Sequence, residues 1–389
     1  MELVAEKYKN TEIMIIPDEW VVVEISDVAL VLGGGTPSTR INDFWDGDIN
    51  WFTPTEVGYD KYLFSSRRKI TDLGLRNSSA KVLCPGTILL TSRAGIGDLG
   101  ILKCEAATNQ GFQSLIANSK INNEFLYYLM LTKKNVLLQN ASGSTFLEIS
   151  PSKVKSIKIP LPPLPEQTAI ATALSDIDAL ITQTEKLIEK KKAIKQGVMQ
   201  ELLRPKEGWE KMTINDCCDI LNNLRKPLND AERQRMKGDI PYCGANGVVD
   251  YINEYLTDFE MILMAEDGGY FDEFKTRSIA YRMSGKCWVN NHAHILKAKS
   301  QFNQDFIYYS VVHKNILDYI NGGTRAKLNK SELKNIEIHC PNKDVQDSIS
   351  IVLNEMDELI SSIDFKLLKL KHQKQGMMQT LLTGKIRLV

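Results

Sequence analysis

The sequence lacks long hydrophobic runs: no apolar stretch approaches the ~18–20 residues that a membrane-spanning helix requires, which argues against a membrane protein. Its opening, MELVAEKYKN, is too charged for a signal peptide. Cysteine is sparse, seven residues with no CxxC spacing, which fits free thiols in a reducing cytoplasm rather than a disulfide scaffold. Charge of either sign is not in excess, since Lys+Arg and Asp+Glu both count 48. Any nucleic-acid reading must therefore rest on local features. Several catalytic signatures are missing too. There is no [DNS]-P-P-[YFW] adenine-methyltransferase motif, because Pro162-Pro163 has Leu on both sides. No GxxxxGK[ST] phosphate loop is found, and no Ser/His/Asp or Cys/His set sits in a recognisable context. What remains is a 389-residue chain, 43% hydrophobic and 25% charged, globular and long enough for two or three domains of roughly 100–200 residues.

The chain repeats itself. GVMQELL at 197–203 returns as GMMQTLL at 376–382, and the same offset aligns Gln167 with Gln346, Asp178 with Asp357 and Ile181 with Ile360. Upstream, Gly143-Ser144-Thr145 falls on Gly322-Gly323-Thr324. With small insertions, Phe125-Leu126-Tyr127-Tyr128 pairs with Phe306-Ile307-Tyr308-Tyr309, and Trp20 with Trp209. The order is head, helix, head, helix. After the breaker run 160–165, apolar residues at Ile170, Ile177, Leu180, Leu187 and Ile194 follow heptad-like spacing on a helix of about 38 residues. A flanking row holds Leu174, Ile181, Ile188 and Leu202. The second copy has Ile349, Met356, Leu359, Ile363 and Leu370, flanked by Leu353, Ile360, Leu367 and Leu381. Each helix is acidic in its first half and basic in its second, so an antiparallel pair sets opposite charges side by side. The expected fold is α+β: two α/β domains separated by two long helices in an antiparallel intramolecular coiled coil, a pseudo-two-fold tandem repeat. The alternatives are that each helix packs on its own head, or that the stripe forms a coil with another molecule. Such a two-ended molecule suits a split site on duplex DNA.

The residues that carry a family resemblance are Ile16-Pro17-Asp18-Glu19-Trp20, Gly34-Gly35-Thr36-Pro37-Ser38, Gly47-Asp48-Ile49-Asn50-Trp51 and Pro85-Gly86-Thr87-Ile88-Leu89-Leu90. To these add Asn109-Gln110-Gly111, the proline-rich entry Ile159–Gln167 and the ending Leu381-Leu382-Thr383-Gly384-Lys385-Ile386-Arg387. In their order and duplication they resemble the DNA-specificity subunits of type I restriction-modification systems over essentially the whole chain. The second head departs from the pattern, with Cys340-Pro341-Asn342 where a second proline-rich entry is usual. The resemblance implies a non-catalytic, cytoplasmic subunit without cofactor. Its partners would be double-stranded DNA, two DNA adenine-methyltransferase subunits and motor-nuclease subunits, with no membrane. Residues 1–160 and 207–341 would be target-recognition domains, 161–206 and 342–389 the spacer helices with the C-terminal tail. A two-headed coiled-coil scaffold for protein partners is the rival reading; an enzyme with an unrecognised site in one head is another.

Candidate DNA contacts follow from residue chemistry. Gly95-Ile-Gly97-Asp-Leu-Gly100 spells GxGxxG, but strand-like sequence follows it, so it reads as a turn rather than a dinucleotide site. Thr91, Ser92 and Arg93 offer a guanidinium to a base edge or phosphate; an ordinary loop arginine is the alternative. Asn109 and Gln110, with Asn290 and Asn291 as their second copy, carry amides suited to adenine or to backbone. Arg40 precedes the aromatic cluster Phe44, Trp45, Trp51 and Phe52, which reads first as core and second as a stacking surface. Arg67, Arg68 and Lys69 form the densest basic run of the first head; Arg225, Lys226, Arg233 and Arg235 serve in the second, with Arg325 and Lys327 beside a glycine pair. These suit phosphate contact, or simply a solvated face. Cys287-x4-His292-x-His294 lacks a fourth ligand at a usual spacing, so no metal site is assigned.

Overall fold

The computed structural model describes residues 7–93, 95–143, 147–321 and 326–388. The chain divides into two compact units. The first comprises 1–185 with 366–389, the second 186–365, so both long helices contribute a half to each unit.

In the first unit, a five-stranded sheet runs in the order Ala29–Gly33, Gln113–Ala117, Ile88–Leu90, Leu99–Leu102, Tyr62–Leu63. Its central strands are buried on both faces, which is why they read as unbroken apolar runs rather than alternating ones. Leu90 and Leu115 pack into a core with the helix Asn123–Leu131. Leu89, Leu102 and Phe112 face the other way, onto Phe52 and Ala106 of a three-stranded sheet ordered Ala106–Thr108, Trp45–Phe52, Arg68–Ile70. The Asn122 side chain caps the helix, accepting from the backbone N–H groups of Glu124 and Phe125 at 2.9 and 3.0 Å.

The second unit repeats the plan. Sheets ordered Cys218–Ile220, Ala293–Ala298, Met261–Ala265, Ala280–Met283 and Gly247–Ile252, Lys237–Gly244, Lys286–Val289, Thr257–Asp258 accompany the helix Gln304–Val312. Each unit also has a small antiparallel pair next to a long helix: Val21–Glu24 with Lys158–Leu161, and Glu210–Thr213 with Glu337–Cys340.

The long helices span Leu164–Leu202 and Lys343–Leu381, 39 residues each. Their entries are built alike. Gln167 donates its amide to the Pro162 carbonyl at 2.9 Å and accepts from Asn122 N at 2.8 Å. Gln346 donates to the Pro341 carbonyl at 2.8 Å and accepts from Asn303 N at 2.9 Å. The single proline of the second entry thus supplies the same acceptor as the longer run of the first.

The helices pair antiparallel. In the first unit Lys374 meets Asp178 at 2.6 Å and Lys371 meets Glu185 at 2.7 Å; in the second Lys195 pairs with Asp357. The seam differs from the expected one. Ile170, Ile177 and Ile349 are buried, and Met356, Ile363 and Leu370 are half-buried. Leu180, Leu187, Ile194 and Leu359 instead face solvent, 41–49% exposed, while Leu174, Ile188, Leu353 and Ile360 of the flanking row lie inside. Two adjacent apolar rows leave the facing direction open in the sequence. Where Lys195 turns toward Asp357, the neighbouring Ile194 faces outward.

Candidate nucleic-acid interface

In the first unit, strands Ile88–Leu90 and Leu99–Leu102 pair antiparallel across the glycine motif. Gly95 and Gly97 have φ of +105° and +93°, a conformation that side chains oppose. The Thr91 hydroxyl donates to the Gly95 carbonyl at 2.6 Å and accepts from Asp98 N at 2.9 Å. GxGxxG is therefore a turn. It also corrects two expectations: Thr91 and Ser92 are buried, and the Thr91 hydroxyl is consumed in the turn, so neither side chain is presented outward. Arg93 remains half-exposed, paired with Glu148 at 2.8 Å.

Three loops converge on this turn. Ser92 N donates to the Gly111 carbonyl at 2.8 Å, and Gly35 N to that of Thr108 at 2.8 Å. The Asn109 side chain accepts from Gly111 N at 2.9 Å, and the Thr36 hydroxyl meets the Gln110 side chain at 2.5 Å. Gly34 is needed for that approach, since a Cβ there would lie 2.2 Å from the Asn109 carbonyl oxygen. The aromatic cluster is core rather than a stacking surface: Trp45 and Trp51 pack edge-on at 5.1 Å, and their indole N–H groups donate to the Ser38 and Gly35 carbonyls. Arg68 lies over Trp45 at 3.7 Å from the ring centre. Arg40, Arg67 and Lys69 are exposed, and so is Gln110.

The second unit reuses these backbone bonds with different side chains. Lys226 N donates to Val289 O as Gly35 N does to Thr108 O, and Asn290 N to Cys243 O as Asn109 N does to Phe52 O. The Asn290 side chain accepts from His292 N at 2.8 Å, the same turn as Asn109 makes. Glu266 N donates to His292 O as Ser92 N does to Gly111 O, and Leu328 N to Glu266 O as Ile149 N does to Ser92 O. Residues Glu266, Asp267, His292 and Lys327 thus occupy the positions of Ser92, Arg93, Gly111 and Glu148.

Glu266 organises the site. It takes Arg225 at 2.5 Å and Lys327 at 3.0 Å, with His294 at 3.6 Å. Burial pushes its carboxyl up, but the hydrogen bonds from Arg225 and Lys327 outweigh that and hold it below the usual carboxylate range. Arg225 also donates to the carbonyls of Asn291 and Ala293, so its guanidinium supports the loop rather than projecting from it. Arg233 is likewise committed, to Asp250, Asp230 and the Leu228 carbonyl. Lys226, Arg235 and Asn291 are exposed, Lys226 sitting over the Trp288 ring; Asn290 is buried in its turn. Arg325 lies outside the described residues. Buried His294 has its ring nitrogens on Asn222 and the Leu328 carbonyl, both at 2.8 Å, and burial lowers its pKa. Cys287 contacts the Thr257 hydroxyl at 3.0 Å.

Sequence reasoning passed over Glu148, Glu266 and Asp267. Their signal lies in the repeat, but only after gaps that backbone bonding alone reveals. The family model described as type I restriction modification DNA specificity domain matches residues 17–196 and again 206–372. The chain belongs to the type I restriction-modification DNA-specificity family. Among relatives, the MjaIX specificity subunit of Methanocaldococcus jannaschii is 29% identical over 98% of this chain and 96% of its own. The EcoR124I/EcoR124II specificity subunit of Escherichia coli is 29% identical over 40% of each chain. The S subunit of M. genitalium shares the fold, with a TM-score of 0.62 at 16% identity, covering 93% of this chain and 96% of that one. In this family member, then, the tandem repeat is the specificity domain doubled, and the convergent loops occupy the same place in both copies.

Proposed function

We propose that this chain recognises an asymmetric, bipartite sequence on double-stranded DNA and directs two adenine-methyltransferase subunits, with motor-nuclease subunits, to it. Residues 1–160 and 207–341 are the target-recognition domains in this reading; 161–206 and 342–389 are the spacer. The observation that carries it is one backbone scaffold presenting two unlike side-chain sets, Arg93, Gln110 and Glu148 against Asp267, Asn291, His292 and Lys327. Equal scaffolds with unequal readers suit two unequal half-sites. Arg40, Arg67, Arg68 and Lys69 in one domain, and Lys226 and Arg235 in the other, supply phosphate contacts around those loops. The outward row Leu180, Leu187, Ile194, spaced by seven on one helix face, offers an apolar stripe for partner subunits. Catalysis belongs to those partners.

The test is co-expression with the neighbouring methyltransferase subunit and mapping of adenine methylation across the genome by single-molecule sequencing. A split asymmetric motif that disappears without this chain is expected. A stable complex with no motif, or no complex at all, contradicts the proposal.

A further inference from the structure

Resting on that DNA-recognition reading, we infer that His292, oriented by Asp267, is a specificity-determining residue for the half-site read by the second unit. The loop Asn290–His292 is held from below. Asn290 closes the turn, Glu266 N donates to the His292 carbonyl, and Arg225 donates to the Asn291 carbonyl. The backbone is thus fixed by at least three hydrogen bonds, so the ring's position is set by the fold rather than by a mobile loop.

The ring is then aimed. Asp267 Oδ1 lies 2.5 Å from His292 Nδ1, and the Asp267 side chain is only 15% exposed whereas that of His292 is 39% exposed. The ionised carboxylate can only accept, so Nδ1–H donates to it, and in that tautomer the lone pair lies on Nε2. Nε2 has no partner among the described residues. An outward acceptor nitrogen held in one orientation is matched by an exocyclic amino group in the major groove, N4 of cytosine or N6 of adenine.

The surroundings fit a DNA-facing surface. The acidic side chains Glu266 and Asp267 lie beneath, 13% and 15% exposed, while Lys327 stands 44% exposed above Glu266. Anions are inside and a cation is outside, the order that a phosphate backbone tolerates. The matching position of the first unit is Gly111, which presents no side chain at all. The first unit therefore cannot copy this discrimination at the matching position.

Methylation mapping of the complex with three variants tests it. H292A removes the ring; H292N keeps an amide near Nδ1 for Asp267 but lacks the outer nitrogen; H292Q restores a polar group near Nε2. H292A and H292N are expected to relax one position of the second half-site, raising methylation of sites with a wrong base there by about tenfold. The first half-site and the spacer stay unchanged, and H292Q retains the position. On synthetic duplexes, removing the exocyclic amino group at that position, with purine for adenine or 2-pyrimidinone for cytosine, is expected to weaken binding by the wild-type complex and to leave H292A unchanged; equal losses for both overturn the acceptor assignment. An H292N complex that methylates the wild-type motif without relaxation overturns the inference. So does one that fails to fold or methylates nothing, since the ring is then structural. If the wild-type complex itself yields no split motif, it is the broader DNA-recognition reading that fails.

Discussion

Lys374 and Asp178, on different long helices, meet at 2.6 Å inside the first unit. The same carboxylate accepts from the Tyr128 hydroxyl at 2.7 Å. The second unit builds the set again with the helices exchanged, Lys195 pairing with Asp357, which accepts from Tyr309 at 2.6 Å. Burial, reinforced by the carboxylates, raises both phenol pKa values, so each hydroxyl remains a donor. Each unit thereby ties its α/β part to both helices through one carboxylate.

That tie is measurable. A double-mutant cycle of Asp178→Asn with Lys374→Met, read by urea unfolding, is expected to give a coupling of about 0.5–2 kcal/mol. Both side chains are about one-quarter exposed, which keeps the expected coupling modest. Purely additive losses would mean that the helix pairing is apolar alone.

The C-terminal tail carries a stronger tie. Glu166, whose side chain is 1% exposed, receives Arg387 Nε at 2.6 Å and the Trp20 indole N–H at 2.9 Å. Arg387→Met leaves that carboxylate buried without its cation, and about 3–5 kcal/mol of stability should be lost. The paired change Glu166→Gln with Arg387→Met should recover part of it. Equal unfolding midpoints for wild type and Arg387→Met would refute the ion pair's role.

Exposed cations of the first domain should act on affinity alone. Arg67→Ala and Lys69→Ala are each expected to weaken DNA binding and lower the salt slope by about 1, with the methylated motif unchanged. A changed motif would make them base readers instead.

His294 makes stability depend on pH. Its folded pKa lies below the ordinary 6.5 because burial disfavours the charged ring. Below about 6.5 the unfolded chain takes up a proton that the folded chain refuses, so stability present at higher pH is lost as pH falls through that window. His294→Gln removes this dependence. Thermal unfolding at pH 7.5 and 5.5 should show a smaller difference for the variant; an equal one would contradict the assignment.

How much of the molecule is legible in the sequence depends on the kind of interaction. The duplication, the two long helices and their antiparallel sense come from periodicity and charge, which are local and recur at a fixed offset: Gln167 with Gln346, Asp178 with Asp357. The glycine turn at 95–100 is readable because Ile101 and Leu102 continue as strand beyond it. Which apolar row meets the partner helix is not readable, because Leu180 and Ile181 are equally apolar and lie on adjacent rows of the same helix. Nor is the fate of Arg225 and Arg233, whose basic character suggests phosphates but whose partners, Glu266 and Asp250, stand 41 and 17 residues away along the chain. Local periodicity, charge and recurring motifs suffice for the repeat, the helices and the family. Which polar side chains are spent inside the fold and which, like His292, are left partly exposed emerges only on folding, because hydrogen bonds between distant segments compete for the same donors.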